Sequence, residues 1–218
     1  MEWYMEEERV LLHCCCGPCS LSPLETLRHE GFSVTGFFYN PNIHPYREFQ
    51  SRLETYRIMA ELMSLETVLE DAYGLSDYMW NLSRFLPSEK GMDSSTMLHL
   101  DSQEEDEEVD TARDEDLFGA ESSIRCRACY QSRLEQTARA CVRLGFPRFS
   151  TTLLVSPYQD HNAIRDMGAS IATAYGLEFL YRDFRPGFRE GQKKARELGF
   201  YMQGYCGCIF SEFQRYGG

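Results

Sequence analysis

The chain has 218 residues, 43% hydrophobic and 26% charged, which suits one globular domain with a proper core. No run of about 18 apolar residues occurs, so no membrane span is expected. The acidic start MEWYMEEERVLLH lacks the positive n-region and long apolar stretch of a secretory signal, so a cytoplasmic location is expected.

In chain order, Arg9–His13 is short and apolar and reads as a first strand. A cysteine-rich turn follows, then a helix over residues 20–29 closed by Gly31. Ser33–Tyr39 reads as a second strand, and residues 40–45 form a loop with two prolines and two asparagines. Residues 46–63 have helical spacing, with Phe49, Leu53, Tyr56, Ala60 and Met63 on one side. Residues 66–69 are a candidate third strand, and residues 75–86 read as helical.

Residues 87–123 break the pattern. They have little periodic apolar sequence, and the stretch from Asp101 to Asp116 holds ten carboxylates against one arginine. That composition predicts a long, mostly disordered insertion inside a single domain spanning 1–218. The insertion also explains the charge. Of the formal net -12, this stretch carries -9, while residues 125–218 have 14 Lys and Arg against 8 Asp and Glu. The acidic total therefore does not exclude an RNA partner.

Beyond it, residues 127–144 form a strong helix ended by Gly145, and residues 149–155 a strand. Residues 162–175 are a helix closed by Gly176, residues 177–181 a strand, and residues 188–198 a helix. The tail, 201–210, carries the last two cysteines. Strands alternating with helices imply an α/β fold, an open, mostly parallel sheet with helices on both faces. The site is then expected beyond the carboxyl ends of the strands.

Nine cysteines are many for a reducing compartment, where clustered thiols more often bind metal or do redox chemistry than form structural disulfides. The first turn reads His13-Cys14-Cys15-Cys16-Gly17-Pro18-Cys19. A C-x-x-C, Cys126 to Cys129, opens a later helix, and Cys206-Gly207-Cys208 lies near the end. Helix N-termini favour thiolate over thiol. Cys15, Cys16, Cys126 and Cys129 are accordingly read as ligands of a [4Fe–4S] cluster, with a structural zinc site as the equal alternative. Cys16-Gly17-Pro18-Cys19 also matches the thioredoxin tetrapeptide, although two more cysteines precede it and no Trp does. Cys206 and Cys208, with glycine between, are read as a strained, easily cycled dithiol, the other reading being extra metal ligands or inert thiols. Cys14 and Cys141 are read as packing residues.

Six stretches, in order, then resemble one family: HCCCGPCS at 13–20, FYNPNIHPYREFQSRLE at 38–54, RCRACYQSRL at 125–134, FSTTLLVSPYQDHNAI at 149–164, LEFLYRDFR at 177–185 and YCGCIFS at 205–211. Together they are similar to the QueH-type epoxyqueuosine reductases. The resemblance implies cobalamin-independent reduction of the epoxide of epoxyqueuosine to the cyclopentene of queuosine, at the wobble position of tRNA. It implies a fold similar to the adenine-nucleotide alpha-hydrolase group. It also implies a [4Fe–4S] cluster on Cys15, Cys16, Cys126 and Cys129, a redox-active Cys206 and Cys208, and an additional mononuclear iron at Cys19. The long acidic segment before Cys126 departs from the family pattern.

Removing an epoxide oxygen needs two electrons and two protons. An electron donor is therefore required, and His13, His44, Tyr158 and His161 are candidate proton donors, His13 foremost. A packed histidine bonding the backbone is the other reading of His13. Arg125, Arg127, Arg182, Arg185 and Arg189 are candidate phosphate contacts. Tyr39, Tyr46 and Tyr158 are candidate stacking platforms for a base drawn out of the anticodon. Asp183 is expected to pair an arginine or to bind the substrate's amine.

Overall fold

The computed structural model describes residues 8–84 and 124–217; the acidic segment expected as an insertion, 87–123, lies outside them. Among the described residues, five strands form one parallel sheet: β1 (Arg9–His13), β2 (Ser33–Tyr39), β3 (Thr67–Glu70), β4 (Arg148–Thr151) and β5 (Glu178–Phe179). Their order is β3-β2-β1-β4-β5. β1 is the middle strand, and Val10, Leu11 and Leu12 are fully buried. A continuous apolar run is what a parallel strand covered on both faces requires.

The helices are α1 (Gly17–His29), α2 (Tyr46–Leu62), α3 (Leu75–Ser83), α4 (Ile124–Leu144), α5 (His161–Tyr175), α6 (Phe188–Glu197) and α7 (Ile209–Tyr216). They fall into two packed groups: α1 with α2 and α6, and α4 with α3 and α5. α1 approaches α2 closely because Gly17 has no side chain; a Cβ there would stand 2.8 Å from the Thr55 carbonyl oxygen.

Several boundaries differ from expectation, each for a local reason. α1 starts three residues early because the Cys16 side chain caps it, accepting from the Cys19 amide. β4 stops at Thr151 and gives way to a 3-10 turn, Thr152–Val155, because the Thr151 hydroxyl takes the Leu153 amide. α4 spans Ile124–Leu144, so Cys126 and Cys129 both lie at the start of a helix, as expected. α7 was not anticipated; Cys208 is its N-cap.

The strand order reverses direction at β1. The chain leaves β1 toward β2 on one side, whereas β4 pairs on the other. Ligands of open parallel sheets bind in the crevice at such a point, outside the strand carboxyl ends. The first cysteine turn and the turn after β4 meet there.

Candidate metal and redox site

The crevice is built on two threonines. His13 and Thr151 are register partners at the ends of β1 and β4. The His13 Nε2–H donates to the Tyr39 carbonyl at 3.1 Å, so Nδ1 accepts from the Thr151 hydroxyl at 2.9 Å. With both ring nitrogens engaged, burial and then the neighbouring Arg133 charge push the imidazole down to about 4. His13 is a neutral clamp across two strands near pH 7. Next along, the Cys15 amide donates to the Thr152 hydroxyl at 3.1 Å, and that hydroxyl donates to the Cys15 sulfur at 3.4 Å.

Cys15, Cys16 and Cys19 are buried, with their sulfurs all within 4.8 Å of one another. The Cys16 and Cys19 thiols hydrogen-bond to the Cys15 sulfur and hold Cys15 well below the ordinary thiol range. The same interaction pushes Cys16 and Cys19 up. Cys15 is thus favoured as the thiolate, and Cys16 and Cys19 as thiols. Ionising a second needs a positive partner, which a metal supplies. The buried trio fits a metal-containing group. The thioredoxin reading fits it less well, since a thiol that attacks protein disulfides needs an accessible sulfur and Cys16 is 2% exposed.

Cys126 and Cys129 do not join that trio's spacing. A single zinc ion with Zn–S bonds of about 2.3 Å would draw four sulfurs to within about 4.6 Å of one another. The four expected ligands do not form one such close group in the fold. Burial pushes the Cys129 thiol up to about 12, against the pull of Arg133 one turn on.

The last cysteines are docked from afar. Arg52 is buried and paired to Glu48 at 2.6 Å, and its other two amines donate to the carbonyls of Tyr205 and Cys206, both at 2.9 Å. The Gly207 carbonyl accepts from the His44 amide at 2.8 Å. Both thiols are free; Cys206 is exposed and Cys208 buried. The Gln159 amide approaches the Cys206 sulfur at 3.7 Å, and the Gln203 amide approaches Cys19 at 3.9 Å.

These parts surround a cleft of about 550 Å³, lined by Cys15, Cys19 and Cys206 together with Arg133, Thr152, Tyr158, Gln159, Phe188, Gln192, Gln203 and Arg215. Tyr158 is 80% exposed beside the Phe188 ring, 6.3 Å between centroids.

The family profile described as Epoxyqueuosine reductase QueH matches residues 10–96 and 89–214 of this sequence. The chain belongs to the epoxyqueuosine reductase QueH family. It is thus a member of an oxidoreductase family. The QueH of Dehalococcoides mccartyi is 31% identical over 209 residues, 96% of this chain and 95% of that protein. The QueH of Thermotoga maritima is 35% identical over 208 residues, 94% of this chain and 91% of that protein. The QueH of Streptococcus pyogenes is 30% identical over 213 residues, 96% of this chain and 73% of that protein.

Within this QueH-family site the other expected residues divide. Tyr158 lines the cleft. His44 is tied to Tyr73, and His161 to the Ser156 carbonyl. Asp183 pairs with Arg185, which holds its carboxyl down at about 2. Arg182 bonds Glu30. Tyr46 packs against Tyr73, and Tyr39 is half-buried. Cys14 and Cys141 are buried, and each donates to a nearby carbonyl. The residues sequence reasoning missed are Arg52, Arg133, Thr152, Gln159 and Gln203. Arg52 and Arg133 carried a signal, since each sits in phase with the apolar face of its helix, where an arginine is out of place.

Proposed function

We propose that this chain reduces epoxyqueuosine to queuosine in tRNA, in the cytoplasm and without cobalamin. The observation that carries the reading is a cleft whose walls bring Cys15, Cys19 and Cys206 together, in a chain matched along most of its length by the QueH profile. Cys15, Cys16, Cys126 and Cys129 would hold a [4Fe–4S] cluster, and Cys19 an additional iron. Two pairs of cysteine thiolates are the donor set that such a cluster takes. When bound, the cluster supplies one-electron transfer and a Lewis-acidic iron.

The chain's own residues supply the rest. Tyr158 offers an exposed ring at the cleft mouth on which a base drawn from the anticodon stacks. The carboxamides of Gln159, Gln192 and Gln203 line the interior and meet polar edges of that base. Cys206 and Cys208 store the electrons: epoxide plus dithiol gives alkene, water and disulfide, so two electrons and two protons balance. An external two-electron donor restores the dithiol. His13 holds β1 against β4 and is assigned a positioning role rather than proton donation.

The test is anaerobic reconstitution with iron and sulfide, then incubation with epoxyqueuosine tRNA and a reductant, without cobalamin. A product nucleoside lighter by one oxygen is expected, from protein that holds iron rather than zinc. Unchanged nucleoside mass overturns the reading.

A further inference from the structure

The two buried arginines beside the cysteines are not equivalent. Arg52 carries its own carboxylate, Glu48, at 2.6 Å. Arg133 has no carboxylate partner among the described residues. Its Nε donates to the Cys129 carbonyl at 3.2 Å, and its Nη2 is buried without a hydrogen-bond partner. A buried guanidinium without countercharge costs several kcal/mol. Arg133 shares the cleft wall with Cys15 and Cys206 and holds the Cys129 carbonyl, and its charge acts on the sulfurs of those three residues as well as on Tyr130 and His13. It lies on the wall of the cleft and also on the wall of a small internal cavity shared with Asn42, whose Oδ1 is likewise unpartnered.

We propose that Arg133 is a positioning residue whose fixed charge on the cleft wall favours the reduced, ionised form of the Cys206–Cys208 pair. This rests on the reading of Cys206 and Cys208 as a redox couple. On reduction, the disulfide takes two electrons and one proton, and the S–S bond breaks to one thiolate and one thiol. A neighbouring positive charge stabilises the thiolate and does nothing for the neutral disulfide. The equilibrium constant for reduction therefore rises with Arg133 in place.

The experiment equilibrates metal-loaded protein anaerobically in dithiothreitol buffers of stepped ratio. The two dithiothreitol thiols close to their cyclic disulfide as the protein S–S opens. Free thiols are then trapped, and the Cys206–Cys208 disulfide fraction is read by peptide mass. Arg133→Gln should shift the equilibrium about tenfold toward disulfide, about 30 mV for a two-electron couple. Arg133→Lys should restore most of that. Asn42→Asp, nearly isosteric, puts a negative charge on the wall of the cavity that Arg133 also lines and should shift the equilibrium the same way as Arg133→Gln. It keeps the test decisive should Arg133→Gln fail to fold. An unchanged equilibrium in Asn42→Asp, or in folded Arg133→Gln, overturns the proposal alone. If no buffer yields a Cys206–Cys208 disulfide in the unaltered protein, the redox reading falls and takes the proposal with it.

Discussion

The guanidinium of Arg52 reaches the carbonyl oxygen of Cys206 at 2.9 Å, across 154 residues of sequence. That bond and its twin to Tyr205 fix the cysteine tail to α2. Arg52→Leu leaves Glu48 buried without its cation and two carbonyls without a donor. The expected cost is about 3–5 kcal/mol, as when one partner of a buried ion pair is removed. Hydrogen exchange across residues 201–208 should rise while β1 stays protected. Gly207→Ala should act at the same point: its φ is +121°, and a Cβ there would lie 2.9 Å from Arg52 Nη1. Protection of residues 201–208 equal to the unaltered chain in both variants would refute this docking role.

Cys14 and Cys15 are neighbours with opposite fates. The Cys14 sulfur points back to the Leu12 carbonyl at 3.3 Å, and burial pushes its thiol up to about 12. Cys15 instead gathers donors from Cys16, Cys19 and Thr152. Cys15→Ala, like Cys126→Ala, is expected to lose bound metal and activity together. Cys14→Ala should keep both and lose about 1 kcal/mol of stability, the usual cost of a small core deletion. Iron content and visible absorbance after reconstitution distinguish them. Metal retained in Cys15→Ala would remove it from the ligand set.

The fold was legible where periodicity and cysteines agreed. Arg9–His13 and Ser33–Tyr39 match the bounds of β1 and β2, because both are short segments rich in β-branched, aromatic or aliphatic residues and set between turn signals. The end of β4 was not legible, because it depends on Thr151 bonding Leu153 and on Thr152 bonding Cys15, 137 residues away. β5 was read as residues 177–181 but pairs over only Glu178–Phe179, since apolar content alone does not mark where a ladder stops. The cysteines of the site were visible as motifs. Arg52 and Arg133 were visible only as charges out of place on apolar helix faces, because such a charge declares its partner only after the chain has folded.

His13 makes stability depend on pH with a definite sign. Folded, its imidazole stays neutral down to about 4; unfolded, it takes a proton near the ordinary 6.5. Between those values the unfolded chain binds more protons, so stability falls as pH falls. Between pH 7 and pH 5 the contribution of this one group is a loss of about 2 kcal/mol. His44 and His161 are also lowered by burial and add in the same direction. Comparing metal-free chain with His13→Gln isolates the His13 share: the variant should lose less stability over that interval in denaturant melts. Equal losses would show that His13 protonates freely in the fold.

Cys208 has a capping role in the fold and a proposed redox role, and one substitution can separate them. Its sulfur caps α7, accepting from the Ser211 amide at 3.4 Å, and it is the buried member of the dithiol. Cys208→Ala removes both jobs, at a capping cost of about 1 kcal/mol. Cys208→Ser keeps a good N-cap oxygen but cannot close a disulfide with Cys206. Both variants should hold the same metal content as the unaltered chain, since Cys208 is not among the proposed ligands. In both, product should stop at a single turnover at most, because the exposed Cys206 sulfur is left with no internal partner. Serine should restore thermal stability without restoring turnover. Sustained turnover in Cys208→Ser would mean that electrons reach the substrate without the dithiol and that this sulfur serves the fold alone.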